Sequence, residues 1–156
     1  MNQHIEMMLL AEAEAKKSVC KRAQVGAAWH CLDGDIHVGH NNNDGQCCEG
    51  EDGRTLPTVT HAECMALEAN LFLDEQPGGT LYVTRQPCIK CARLIVEAGI
   101  EQVFYRDADD KTDGLDLLAE HGVLVDSGWI AGQREPLLEP TLMQKIQASW
   151  LARWSV

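Results

Sequence analysis

Residues 80–105 read TLYVTRQPCIKCARLIVEAGIEQVFY, and their patterning decides the fold class. Thr80 to Thr84 joins β-branched, apolar and aromatic residues behind the punctuation of Gly78-Gly79, which reads as a strand. Pro87 then opens a helix, because the N–H it lacks is one that a first turn leaves unpaired in any case. In that helix Cys91 or Ala92, Ile95 and Val96 fall on one inward face, and Gly99 stands where a C′ glycine ends the element. Gln102 to Tyr105 supplies a second strand. A strand, a helix and a strand in succession form a crossover unit.

The same alternation continues on both sides. Downstream, a short helix Leu115 to His121 is closed by Gly122 and followed by the strand Val123 to Val125. Upstream, a helix from about His61 to Leu73 is preceded by a loop, Asn41 to Thr60, rich in Asn, Asp, Gly and Glu. Loops of that length inside compact domains usually carry function. Before it, Gln24 to Cys31 and Asp35 to Val38 read as strands joined at Asp33-Gly34, a hairpin signal. The first segment places Met8, Ala11, Ala15 and Val19 on one helical stripe. Strands alternating with helices predict a three-layer α/β domain. We read residues 1–156 as a single domain, with a C-terminal amphipathic helix over residues 139–154 whose stripe is Met143, Ile146, Trp150 and Trp154. That helix is expected to dock on the domain or on a neighbouring subunit.

Composition narrows the function. The chain has 156 residues, 45% of them hydrophobic, and 13 Lys+Arg against 24 Asp+Glu, for a net charge of −11. A duplex or tRNA binder needs a basic footprint, so this balance argues against nucleic acid as partner. A small anion can still be held by a few local cations. No apolar run reaches the ~20 residues of a membrane span. The start, Met-Asn-Gln-His-Ile-Glu, lacks a basic and then apolar leader, which points to the cytoplasm, or the host cytoplasm if the chain is viral. Seven cysteines, an odd number in a chain of this length, read as reduced thiols, some of them metal-bound, and not as a disulfide framework.

Two fragments carry chemistry, His61-Ala62-Glu63 and Pro87-Cys88-Ile89-Lys90-Cys91. Cys88 and Cys91, three apart at a helix start, put both sulfurs on one face, and a helix N-terminus favours the thiolate that binds metal. His61 also begins a helix, so two N-termini can converge and offer three ligands. Three protein ligands with an open position describe a catalytic zinc site; adding Cys64 would describe a structural one. Glu63, two residues from a ligand, gives the first reading a proton carrier and would have no role in the second. H-x-E followed by P-C-x-x-C is the pattern of the zinc nucleobase deaminases.

The chain resembles the deoxycytidylate (dCMP) deaminases of the zinc-dependent cytidine and deoxycytidylate deaminase superfamily. The residues that carry the likeness are Ser18-Val-Cys20-Lys-Arg-Ala-Gln-Val25-Gly26-Ala27, Gly39-His40-Asn41, His61-Ala-Glu63, Tyr82-Val-Thr84, Pro87-Cys88-x-x-Cys91-Ala92 and Ala98-Gly99-Ile100. The resemblance implies a cytidine-deaminase-like domain with a central mixed sheet of about five strands between helices. It implies hydrolysis of dCMP to dUMP and ammonia, with one catalytic zinc on His61, Cys88 and Cys91 and Glu63 as proton shuttle. It further implies a small-molecule nucleotide substrate and a homo-oligomer. By the same analogy the Ala62 N–H holds the pyrimidine O2 and Asn41 contacts the deoxyribose. Lys21, Arg22 and Arg85 are the candidates for the phosphate. The alternatives are a deaminase of deoxycytidine, 5-substituted dCMP, guanine or tRNA adenosine, and a non-catalytic zinc module.

Departures from the family matter too. Asn42 stands where allosteric members have Gly in the effector loop, and Asp107-Ala-Asp-Asp110 stands where an aromatic often lies near the base. Some viral members bind a second, structural zinc with cysteines matching Cys20 and one of Cys47 and Cys48. Here the histidine expected before His61 is absent from Thr55 to Thr60, so a second zinc on Cys20, Cys47 and Cys48, with Glu49 beside them, is an alternative to unligated thiols.

Overall fold

In the computed structural model, residues 3–68 and 76–127 are described. The elements are α1 (Gln3–Ala15), β1 (Gly26–His30), β2 (Ile36–His40), α2 (Ala62–Leu67), β3 (Thr80–Arg85), α3 (Ile89–Glu97), β4 (Gln102–Asp107), α4 (Asp113–Glu120) and β5 (Leu124–Asp126). The five strands run in the order β2-β1-β3-β4-β5. β2 and β3 flank β1 antiparallel, while β3, β4 and β5 are parallel, so the sheet is mixed as expected.

Strand alternation divides the core into two layers. Ala27, Trp29, Leu81, Val83 and Val103 pack on one face against Ala62, Ala66, Ala92 and Ile95 from α2 and α3. Ala28, Tyr82 and Phe104, the residues between them, point to the other face and meet Met7, Met8 and Ala11 of α1. The Trp29 indole N–H, buried in the first layer, donates to the Gly78 carbonyl at 2.8 Å, so its polar atom is satisfied. Helices approach the sheet closely at two glycines. A Cβ on Gly26 would lie 1.9 Å from the Ala11 carbonyl oxygen, and one on Gly39 would lie 2.4 Å from the Ala62 carbonyl oxygen.

Several boundaries differ from the sequence reading. α1 ends at Ala15, where Lys17 and Ser18 N–H groups turn back onto the Glu14 and Ala15 carbonyls. Val19 therefore leaves the stripe and is 55% exposed, a correction to the helix periodicity. Of the expected helix His61 to Leu73, α2 covers Ala62–Leu67, and residues 69–73 lie outside the described residues. The C-terminal helix over 139–154 lies outside them as well.

The cysteine reading also needs correction. Cys20 and Cys48 form a disulfide across a sequence separation of 28, so not every thiol is reduced. Both are buried in a small cluster with Val59, and their Cα atoms stand 5.1 Å apart, within bridging reach. With those two sulfurs bonded to each other, and Cys47 exposed with its thiol on the Glu49 carbonyl, the three do not form a metal-binding group. The long loop is ordered by this bond and by bridges between Asn42 and Thr60 and between Glu49 and Thr55. Asn42 thus has a bridge partner in Thr60, and the left-handed positions of the loop fall at Asp44 (φ 52°), Gly45 (φ 77°) and Gly53 (φ 76°).

Candidate active site

The close approach at Gly39 seats the start of α2 against β2, and the parallel step from β3 to β4 carries α3 beside it. His61 is the N-cap of α2, and Cys88 is the N-cap of α3, both in extended backbone. Neither uses its side chain to cap its helix, which leaves imidazole and thiol free to face each other. Cys91 follows in the first turn of α3 and is fully buried. His61 Nδ1 lies 3.5 Å from the Cys88 Sγ and 3.3 Å from the Cys91 Sγ. The three donor atoms fall within 4.8 Å of one another, the only such set of three among the described residues. Two thiols and an imidazole suit zinc, and Cys64 stands outside the set, as an open fourth position requires.

The charges of the cluster follow from its contacts. A hydrogen bond from Cys91 lowers the Cys88 thiol to about 3, against burial, so Cys88 is a thiolate. His61's own hydrogen bond to Cys88 raises its imidazole, against burial. Cys91, as donor to Cys64 and Cys88, is pushed up. A metal in this cage would displace the Cys91 proton, the usual coupling of ligation to deprotonation. Glu63, only 4% exposed, sits with its carboxylate Oε2 3.6 Å from the Cys91 Sγ. Burial pushes its carboxyl up to about 7. A carboxyl poised there can both take and return a proton near neutral pH.

His61, Glu63 and Cys88 line a cleft of about 250 Å³ whose walls include Arg22, Asn41, Glu49, Arg85, Gln86 and Asp109. Of the three cations expected at a phosphate, Arg22 and Arg85 line it and Lys21 does not. Arg85 is paired with Asp109 at 2.9 Å, whereas the Arg22 side chain makes no ion pair among the described residues. Ala62 lines the floor, and its N–H is one of those a first helical turn leaves without a helical partner. Asn41 lines the cleft too, but its amide is engaged by backbone. Its Oδ1 accepts from Val25 N–H at 2.9 Å and its Nδ2 donates to the Ala23 carbonyl at 2.7 Å. It therefore pins the 23–25 turn to the rim. Gln86, which the sequence reading missed, accepts from Asp109 N–H and donates to the Lys111 carbonyl, holding the acidic loop at the cleft. Its place directly before Pro87-Cys88 was the available signal.

Residues 1–107 match the family model described as the cytidine and deoxycytidylate deaminase zinc-binding region. The chain is 33% identical over 115 residues to a deoxycytidylate deaminase of Mycobacterium phage D29, covering 62% of this chain and 88% of that one. It is 31% identical over 121 residues to the deoxycytidylate deaminase of Homo sapiens, covering 67% of each. Among solved structures, the dCMP deaminase of cyanophage S-TIM5 in complex with dCMP and dUMP aligns with a TM-score of 0.72 at 38% identity, over 81% of this chain and 98% of that one. The fold, the three convergent donors and these likenesses agree: the chain belongs to the zinc-binding cytidine and deoxycytidylate deaminase family.

Proposed function

We propose that this protein hydrolyses dCMP to dUMP and ammonia at a zinc site made by His61, Cys88 and Cys91. The observation that carries the reading is the buried Glu63 carboxylate, which lines the same cleft as His61 and Cys88 and lies 3.6 Å from the third donor, the Cys91 Sγ. Zinc, when bound, lowers the pKa of a water toward neutrality and so supplies the nucleophile. Glu63 takes that water's proton and delivers it to N3 of the cytosine as the oxygen adds to C4. Glu63 then carries the second proton to the exocyclic amino group, the C4–N bond breaks and ammonia leaves. The Ala62 N–H holds the pyrimidine O2, and Asn41 shapes the deoxyribose subsite. Arg22 and Arg85, both lining the cleft, meet the 5′-phosphate.

The likeness to dCMP deaminases of two phages and of man supports this choice of substrate. No helix of the described residues is long and apolar enough to cross a membrane. We place one zinc in each chain, a homo-oligomer as the working form, and the reaction in the cytoplasm. Ammonia release from a panel of dCMP, dCTP, deoxycytidine, cytosine, guanine and adenosine-bearing tRNA tests the reading. dCMP is expected to be turned over fastest, and preference for any other member of the panel would replace it.

A further inference from the structure

Three acids line the cleft, and two have work already: Glu63 moves protons and Asp109 holds Arg85. Glu49 remains. Its Oε1 accepts from two consecutive backbone N–H groups, Lys21 at 2.8 Å and Arg22 at 2.7 Å. Successive N–H groups converging on one oxygen form the kind of concave site that otherwise binds a phosphate oxygen. Here the protein fills that site itself.

Glu49 is in turn held from behind. Its neighbour Cys48 is bonded to Cys20, and its own backbone bridges to Thr55. The 20–22 and 48–49 segments are thus joined twice, by a covalent bond at Cys20 and by a carboxylate clasp on the Lys21 and Arg22 N–H groups. Arg22 lines the cleft with a side chain that makes no ion pair among the described residues. A carboxylate this close could have neutralised the guanidinium; it clasps the backbone instead and leaves the cation available.

We propose that Glu49 is a positioning residue for substrate phosphate. It fixes the turn from which Arg22 reaches the phosphate, and it occupies the backbone anion site so that the phosphate docks on the guanidinium. The inference rests on the reading above, that the substrate carries a 5′-phosphate.

The test compares kcat/KM for dCMP and for deoxycytidine in zinc-loaded protein. Glu49→Ala is expected to lower the dCMP value about ten-fold more than the deoxycytidine value, mainly through KM, since two hydrogen bonds to a charged group are lost. Glu49→Gln keeps an acceptor oxygen and should restore the ratio to within about three-fold of wild type, because the clasp survives. Glu49→Asp keeps the charge but withdraws it by one methylene, and reads the same loss if the alanine variant does not fold. Combining Glu49→Ala with Arg22→Ala should lower the ratio no further than Arg22→Ala alone. A folded, zinc-replete Glu49→Ala or Glu49→Asp protein with the wild-type ratio overturns the inference alone. A wild-type protein without preference for dCMP overturns the phosphate reading beneath it.

Discussion

Replacing Glu63 by Gln isolates the proton chemistry from everything else the site does. The side chain is 4% exposed, so a near-isosteric amide keeps the packing of α2 while removing the group that titrates. Burial holds the carboxyl at about 7, where it is an effective base for water and an effective acid for a departing amine. One such transfer typically contributes 10²–10⁴-fold, and here the same group makes both, so turnover should fall by about 10³-fold, or about 4 kcal/mol in barrier. The assay is the fall in cytosine absorbance on dCMP hydrolysis, run beside metal analysis and a thermal melt. Zinc content and melting temperature should match wild type. A folded, zinc-loaded Glu63→Gln protein that keeps more than about a tenth of its activity would falsify the shuttle, since no acid–base contribution of the usual size would have been lost.

Cys88→Ala removes one of the three donors and is expected to abolish stoichiometric zinc binding; metal analysis showing undiminished zinc would place the metal elsewhere. In denaturant without reductant the protein should show five reactive thiols out of seven, because Cys20 and Cys48 are joined, and seven after reduction. Removing that bond with Cys20→Ala and Cys48→Ala should cost about 3–4 kcal/mol in urea unfolding for a loop of this length, and an unchanged midpoint would mean the bond constrains nothing. Burial pushes the Glu14 carboxyl up, but hydrogen bonds from His40 and Lys17 outweigh it and leave it below its ordinary 4.5. A depressed folded-state value stabilises above the unfolded one and is lost as pH falls through it. Glu14→Gln should therefore cost about 1 kcal/mol at pH 7 and progressively less below pH 4.5, and a penalty that grows with acidity would contradict the pairing.

What the sequence made legible was local. The β3–α3–β4 unit shows in its residues because strand composition, Pro87 and Gly99 are each short-range signals; Gly99 indeed takes φ 72°. The donor set shows for the same reason, since each fragment begins a helix whose start is marked nearby. Val19 was misread because a helical period continues in the letters after the turn at Lys17 and Ser18 has ended the helix. The Cys20–Cys48 pairing was hidden, because cysteine counts carry no information about which sulfurs meet across a folded loop. Glu49 was hidden for a different reason: it binds backbone N–H groups, and any two residues would present those. Lys21 and Arg22 were equivalent as letters, and only the direction of the turn puts one of them on the cleft.

The central claim is a zinc deaminase that reads a nucleotide by its phosphate, and the ratio of kcat/KM for dCMP to that for deoxycytidine tests it most directly. A charge-assisted phosphate contact of about 1.5–3 kcal/mol predicts a ratio of roughly ten to a hundred, with stoichiometric ammonia and dUMP from the zinc-loaded chain. Equal values for the two substrates, or no ammonia from either, would contradict it.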